Sequence, residues 1–407
     1  MNFSTLVYES IEIFKYYYKQ SIYKGGEILK IVNKGIKVRI YPNKKQRELF
    51  QQNFGCCRLV YNQILDRLNN LYSQYSGMYK LNIKLINTLL NQIKVEFPFL
   101  KKVESTSLQQ SSRDLLKSYQ MFFKNPKSNF PKFHTKKNTR LSFRQTVTKN
   151  LVQGNHLKLR KYGSVRFRAS KEYINLLNSE DIKINNITIS CDNFKYFAIV
   201  NIEAPVNKLT LTGIKKGFDL NSNKNGFLVS NTGEKYQFDI NHEIQMIKQL
   251  NKSLNTKKKG SRLFKYYTAR LNKWYCKIKN KLNDFAQKLS TSLVKECDTI
   301  VIESNWGNIL KSLTKGEQNI RFPLGRFKDM IQYKFDWYKP EATGLVEVSP
   351  AYTSQICHVC GSINSVLTCD NREWTCINCQ SVHDRDINAA INILNRWDNG
   401  DCLSSRS

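Results

Sequence analysis

No apolar run in this chain approaches the roughly 18 residues that a membrane-spanning helix needs, and no signal-peptide pattern follows Met1. A spanning protein and a secreted one are therefore not expected. The expected setting is intracellular: cytoplasm or nucleoid, or a nucleus or viral factory if the source is eukaryotic or viral. A disulfide framework is also missing. Of the 11 cysteines, Cys56, Cys57, Cys191, Cys276, Cys297, Cys369 and Cys402 show no regular spacing, so free thiols in a reducing compartment are expected. Acid is scarce: 32 Asp and Glu stand against 65 Lys and Arg, a formal charge of +33. Such an excess is the electrostatic footprint of a polyanion binder, and without a membrane segment nucleic acid is the expected polyanion. Disorder is excluded by the 41% of hydrophobic residues and 12% of aromatics. The 407 residues suffice for roughly two or three domains with a sizeable core.

Residues 1–34 carry aromatic clusters such as Phe14 to Tyr18 and receive no role. Ile36 to Tyr41 alternates as a strand that Pro42-Asn43 ends. Helical periodicity then runs through Leu49, Phe50, Leu59, Ile64, Leu65, Leu68 and Tyr72, and again over 83–93 and 107–123, with Gly55, Ser76-Gly77 and Phe97-Pro98 as expected breaks. Short strands are expected over 140–143, 156–160, 164–168, 183–190 and 197–203. Residues 213–238 read as a strand meander whose first strand ends at Asp219, with turns at Asn225-Gly226 and Asn231-Thr232-Gly233. Phe264, Tyr267, Leu271, Trp274, Ile278, Leu282, Phe285, Leu289 and Leu293 recur every three or four residues and predict one long amphipathic helix. Its other faces carry Arg262, Lys265, Arg270, Lys273, Lys277, Lys279, Lys281 and Lys288. Each alone is an ordinary solvated charge; together they are a candidate contact for nucleic-acid backbone. A buried strand follows over 298–303, then a helix over 324–338 and a strand over 344–348.

Cys357-His358-Val359-Cys360 and Cys376-Ile377-Asn378-Cys379, with fifteen residues between the pairs, have the spacing of a four-thiolate zinc site. All four positions of such a site are filled by protein, so its Zn²⁺ is structural. His358, His383 and Cys369 are then not ligands, and the two histidines are expected at the surface.

Three acids occupy comparable places: Asp219 on the first strand of the meander, Glu303 at the end of a buried strand, and Asp386 at the start of the last helix. Alone each reads as a solvated or capping group. Together they follow the order of a ribonuclease H-like fold. Clustered carboxylates repel one another unless they hold a cation, and hard oxygen donors suit Mg²⁺ or Mn²⁺. Two such ions about 4 Å apart can activate water and stabilise the leaving oxygen of a phosphodiester. Asp384 is placed to cap the helix, which leaves Asp386 as the ligand, and the small Ala389-Ala390 pair lets that helix approach a sheet closely.

On these residues the chain resembles the TnpB family. The resemblance runs from about residue 36 onward: Lys37-Val38-Arg39-Ile40-Tyr41-Pro42 with Gln46, Phe54 to Asn62, Phe130-Pro131-Lys132-Phe133, Ile300-Val301-Ile302-Glu303, Val348 to Cys357, and Asp386-Ile387-Asn388-Ala389-Ala390. The resemblance implies an α+β multidomain fold. In it a β-barrel wedge domain (35–48 and 129–212) holds a helical recognition insertion (49–128), followed by a ribonuclease H-like (RuvC) α/β domain (213–356 and 380–397). A zinc ribbon (357–379) is inserted into the latter; 1–34 is an extension and 398–407 a tail. It further implies an RNA-guided DNA endonuclease of a transposable element, dependent on Mg²⁺ or Mn²⁺. The guide RNA comes from the transposon end, the target is double-stranded DNA beside a short adjacent motif, and Asp219, Glu303 and Asp386 form the catalytic triad. Family members usually carry a glycine soon after the first Asp, where this chain reads Leu220-Asn221-Ser222-Asn223-Lys224-Asn225. Two other readings stand beside this one: a catalytically weak RNA-guided binding protein or transposition regulator, and a strand-transferring transposase.

Overall fold

The computed structural model describes residues 21–24, 27–75, 81–125, 128–136, 141–147, 151–192, 195–221, 227–304, 322–367 and 371–401. The aromatic cluster at 14–18, the turns expected at Ser76-Gly77 and Asn225-Gly226, and Cys369 and Cys402 lie outside the described residues. The chain divides into two compact units, Met1–Val206 and Asn207–Ser407.

In the first unit, β1 (Ser21–Lys24) pairs with β2 (Glu27–Tyr41), and three helices follow: α1 (Lys44–Tyr75), α2 (Ile83–Glu96) and α3 (Ser105–Lys124). Then come β3 (Leu141–Thr146), β4 (Val152–Gln153), β5 (His156–Leu159), β6 (Gly163–Arg168), α4 (Lys171–Leu177), β7 (Lys183–Asp192) and β8 (Lys195–Val206). The strands form one antiparallel sheet in the order β3-β7-β8-β2-β6-β5-β4, with β1 attached to β2. Among the described residues β3 and β4 do not pair, so the barrel expected here is a sheet with two ends.

Period-two burial sets the faces. Val32, Ile36, Val38 and Ile40 of β2 are buried with Tyr196, Ala198, Val200, Ile202 and Ala204 of β8. From Ile36 onward this face shares one core with Phe50, Val60, Ile64 and Leu65 of α1, Ile86 and Ile93 of α2, and Leu108 and Leu115 of α3. Asn43 and Gln46 open α1 as a reciprocal capping pair: Asn43 N donates to Gln46 Oε1 at 3.0 Å, and Gln46 N to Asn43 Oδ1 at 2.8 Å.

Two expectations are corrected in this unit. The strand expected from Ile36 begins at Glu27, because Lys34 occupies a core-parity position and Gly35 follows it, which hides the alternation. Lys30 to Ile40 nevertheless pair with Val206 to Tyr196. Gly55 does not break α1. The buried residues around it (Phe50, Phe54, Cys56, Cys57, Val60 and Tyr61) outweigh glycine's propensity penalty of about 1 kcal/mol. Pro98 does end α2 and begins a 3₁₀ turn over Pro98–Lys102.

The second unit contains β9 (Lys215–Leu220), β10 (Leu228–Ser230), β11 (Lys235–Tyr236), α5 (Asn241–Asn255), α6 (Arg262–Glu296), β12 (Thr299–Glu303), α7 (Leu324–Tyr338) and β13 (Gly344–Val348). A hairpin of β14 (Glu373–Thr375) and β15 (Val382–Asp384) then leads into α8 (Arg385–Asp398). The main sheet has the order β11-β10-β9-β12-β13. The β9-β10-β11 meander is antiparallel, and β12 is parallel to both β9 and β13.

Alternation again decides the layers. Phe218, Leu220, Ile300 and Ile302 join a core with Ile278, Leu282, Leu289 and Leu293 of α6 and Phe327, Ile331 and Phe335 of α7. On the other face Val301 and Val348 pack with Ile393, Leu394 and Trp397 of α8. Of the expected α6 seam, Ile278, Leu282, Leu289 and Leu293 are buried, whereas Leu271, Trp274 and Phe285 are half-buried. Helix α5, absent from the expectations, packs against α6 through Ile247 and Leu250. Its buried Glu243 takes Lys277 at 3.1 Å and Lys281 at 2.8 Å, so two of the eight α6 charges, themselves exposed, are paired with an acid of the protein. No described helix is long and apolar enough to cross a membrane.

Candidate metal centre and carboxylate face

Asp219, Glu303 and Asp386 all fall on the α8 side of the second unit's sheet. Phe218 is in register with Ile302 across the parallel β9–β12 pair, so the residues that follow them, Asp219 and Glu303, stand on neighbouring strands and share the face opposite those two apolar side chains. The first turn of α8 supplies Asp386. Close approach of α8 is permitted by Ala389 and Ala390, both fully buried, and by Gly217 beneath them. Asp384 caps the helix, its Oδ1 accepting from Asp386 N at 2.9 Å and Ile387 N at 3.2 Å, while its other oxygen pairs with Lys235 at 2.8 Å.

The three carboxyls are buried, with exposures of 8%, 5% and 2%. Burial pushes Asp219 up to about 8, and the charges of Glu303 and Asp386 push the same way. Asn221 Nδ2 opposes this by donating to Asp219 Oδ2 at 2.9 Å. Burial also raises Glu303, against the hydrogen bond from Thr353 Oγ1 and the charge of Arg396. Asp386 is raised by burial too, although Arg372 Nη1 lies 2.9 and 3.0 Å from its two oxygens. Each acid thus has its own local partner. Burial opposes ionisation of all three, and the other two acids oppose that of Asp219; carboxylate oxygens are the donor type that hard divalent ions take.

The four cysteines converge: the Sγ atoms of Cys357, Cys360, Cys376 and Cys379 all lie within 4.8 Å of one another. Two of the pairs, Cys357–Cys379 and Cys360–Cys376, are 3.6 Å apart. Sulfurs at 2.3 Å from a tetrahedral Zn²⁺ would be separated by about 3.8 Å, so the donor set fits a closed zinc site. Trp374 and Leu367 pack with Cys357, Cys376 and Cys379 as a small separate core.

The histidines are not surface residues as expected. His383 is buried, its Nε2 3.1 Å from Cys357 Sγ and its ring 4.7 Å from that of Trp374. His358 is half-buried and held by Asn388. The reason is geometric: β15 sets His383 against Cys357 and Trp374, and Asn388 of α8 draws in His358. Sequence reasoning also passed over Arg372 and Thr353. Thr353 lies within the Val348 to Cys357 motif but nothing in the sequence pairs it with Glu303, and Arg372 carries no motif signal; only the fold brings them to Glu303 and Asp386.

These observations define a mixed α+β protein in which a four-cysteine module is inserted beside an acid-bearing sheet. Comparisons with known proteins narrow the class. Family models match over residues 32–77 ("Helix-turn-helix domain" of the OrfB_IS605 group), 201–305 ("Probable transposase", OrfB_IS605) and 325–393 ("Cas12f1-like, TNB domain"). A Streptomyces pristinaespiralis protein named "Putative RNA-guided DNA endonuclease" is 29% identical over 89% of both chains. An Escherichia coli protein, "Putative RNA-guided DNA endonuclease InsQ", is 25% identical over 88% of this chain and 90% of its own. Among solved structures, a Cas12f1–sgRNA–target DNA complex aligns with 90% of this chain and 99% of that one, at 15% identity and a TM-score of 0.47. In these three matched segments, and over most of its length, the chain is similar to TnpB-type proteins.

Proposed function

We propose that this protein is an RNA-guided DNA endonuclease of a transposable element, cutting phosphodiester bonds with a RuvC-type carboxylate site. The observation that carries the reading is the placement of Asp219, Glu303 and Asp386 on one face of a sheet whose antiparallel meander continues into two parallel strands. That strand order supports a ribonuclease H-like domain, and the names of the full-length relatives support the activity. Asp219, Glu303 and Asp386 would hold Mg²⁺ or Mn²⁺. Bound there, such ions supply an activated water and charge stabilisation of the leaving oxygen.

The chain's own residues do the rest. Asn221 holds Asp219 by a hydrogen bond, and Asp384 caps the helix that presents Asp386. Cys357, Cys360, Cys376 and Cys379 would bind structural Zn²⁺. A guide RNA would read the target by base pairing, while the +33 chain neutralises RNA and DNA backbones. The first unit would serve as wedge and recognition domains.

One observation favours a catalytically weak RNA-guided binder as the second reading: Arg372 occupies Asp386. The two are separated by purifying the protein with its RNA, sequencing that RNA, and offering a plasmid with the matching sequence in Mg²⁺. Cleavage supports the enzyme, binding without cleavage the second reading, and the absence of a discrete RNA contradicts both.

A further inference from the structure

Asn388, Asn392 and Arg396 follow one another at intervals of four along α8 and so form a single stripe. This stripe meets the loop 349–358 between β13 and the first cysteine pair. Asn388 Nδ2 donates to Ile356 O at 2.8 Å, and its Oδ1 accepts from His358 N at 3.0 Å. Asn392 Nδ2 donates to Thr353 O at 2.8 Å and to Ile356 O at 2.6 Å. Arg396 Nη1 donates to Ser349 O at 3.3 Å, and Nη2 donates to Ala351 O. Four backbone carbonyls of one loop are thereby satisfied by side chains of one helix, which fixes the path of the loop.

Within that loop Tyr352 holds a φ of 58°, in the left-handed region that a tyrosine adopts only at a cost. The turn leaves the Tyr352 ring largely exposed and Thr353 buried at 2% exposure. Thr353 Oγ1 then donates to Glu303 Oε1, on the neighbouring strand system.

We propose that Thr353 is a positioning residue for Glu303, held in place by the Asn388–Asn392–Arg396 stripe. The proposal rests on the reading of Glu303 as a metal ligand. A carboxylate at a strand end has free χ angles. A hydroxyl locked by the loop fixes the rotamer, occupies a lone pair of Oε1, and leaves Oε2 as the oxygen open to a cation. Such outer partners of metal ligands typically matter about 10- to 100-fold in metal affinity. The same stripe fastens the residues on either side of Cys357, so the cysteine module and the acid face are joined through one short loop.

The test is Mn²⁺ binding to the intact protein–RNA complex, measured by calorimetry or by loss of the free-ion spin-resonance signal. Thr353→Val removes the hydroxyl while keeping the shape; Thr353→Ser keeps the hydroxyl. The expected result is Mn²⁺ affinity about 10- to 100-fold weaker for Thr353→Val and close to wild type for Thr353→Ser, with the RNA content unchanged in both. Where Thr353→Val does not fold, Thr353→Ala takes its place. Wild-type Mn²⁺ affinity in the hydroxyl-less variant overturns the positioning role. Glu303→Gln is the control for the underlying reading. If it also binds Mn²⁺ like wild type, the assignment of Glu303 itself fails; if it alone loses Mn²⁺, only the role of Thr353 fails.

Discussion

A Cβ placed on Gly217 of β9 would lie 2.3 Å from the carbonyl oxygen of Ala390 and 2.9 Å from Leu394 of α8. Helix and strand therefore touch backbone to backbone at this point. The contact sets the height of α8 above the sheet and with it the position of Asp386 relative to Asp219, two residues further along β9. Because the obstructing atom belongs to the main chain, it cannot swing aside. Gly217→Ala is expected to destabilise the protein by about 1–3 kcal/mol or more, read as a lower urea midpoint, and to weaken divalent-ion binding.

The opposite sign is expected at Gly55. It lies inside α1, and a Cβ there meets nothing within 4 Å. Gly55→Ala removes backbone entropy from the unfolded chain without a clash. Chemical denaturation should show a gain of about 0.5–1 kcal/mol.

Buried Lys334 on α7 donates to Gln287 O at 2.8 Å, Ser290 Oγ at 2.7 Å and Thr291 Oγ1 at 2.8 Å, all uncharged. Burial draws its pKa down to about 8. Between that value and the ordinary lysine value of about 10.4, the unfolded chain holds a proton that the folded chain has released, so this group's contribution to stability rises with pH. The raised thiols of Cys57 and Cys297 act in the opposite sense but are common to both proteins, so between about pH 7.5 and about pH 9.5 the unfolding free energy of wild type should change more favourably than that of Lys334→Met.

For the cysteine module, elemental analysis is expected to find about one zinc per chain. Cys376→Ser should lose it. The loss should also disturb the hairpin, because Cys376 shares a small core with Trp374 and Cys357. A wild-type protein without zinc, or normal folding of the variant, would contradict the structural role.

Much of this could be read from the chain because the relevant signals are local. The period of three to four that marks α6, the β-branched run Thr299–Glu303, the paired Cys-x-x-Cys spacings and the cap at Asp384 each declare themselves within a few residues. What could not be read depends on distant partners. Helix α5 carries a short apolar stripe of Ile244, Ile247 and Leu250 that periodicity could have found, whereas its buried Glu243 is paired with two lysines of α6 that only the fold brings near. Lys34 breaks the alternation of β2 but not its pairing. His383, Arg372 and Thr353 look like ordinary polar residues until the hairpin and loop bring them against Cys357, Asp386 and Glu303. The acids themselves were legible only as a set of three in a particular order.

Plasmid cleavage by the protein with its co-purified RNA, compared between wild type and Asp219→Ala, decides whether the buried acids do the cutting. Asp219 is buried and its ionisation is opposed by burial, Glu303 and Asp386, as expected for a carboxylate whose role is to meet a cation. The expected result is a linearised target in Mg²⁺ for wild type, no cutting for Asp219→Ala, and the same RNA bound to both. Undiminished cutting by Asp219→Ala would contradict it.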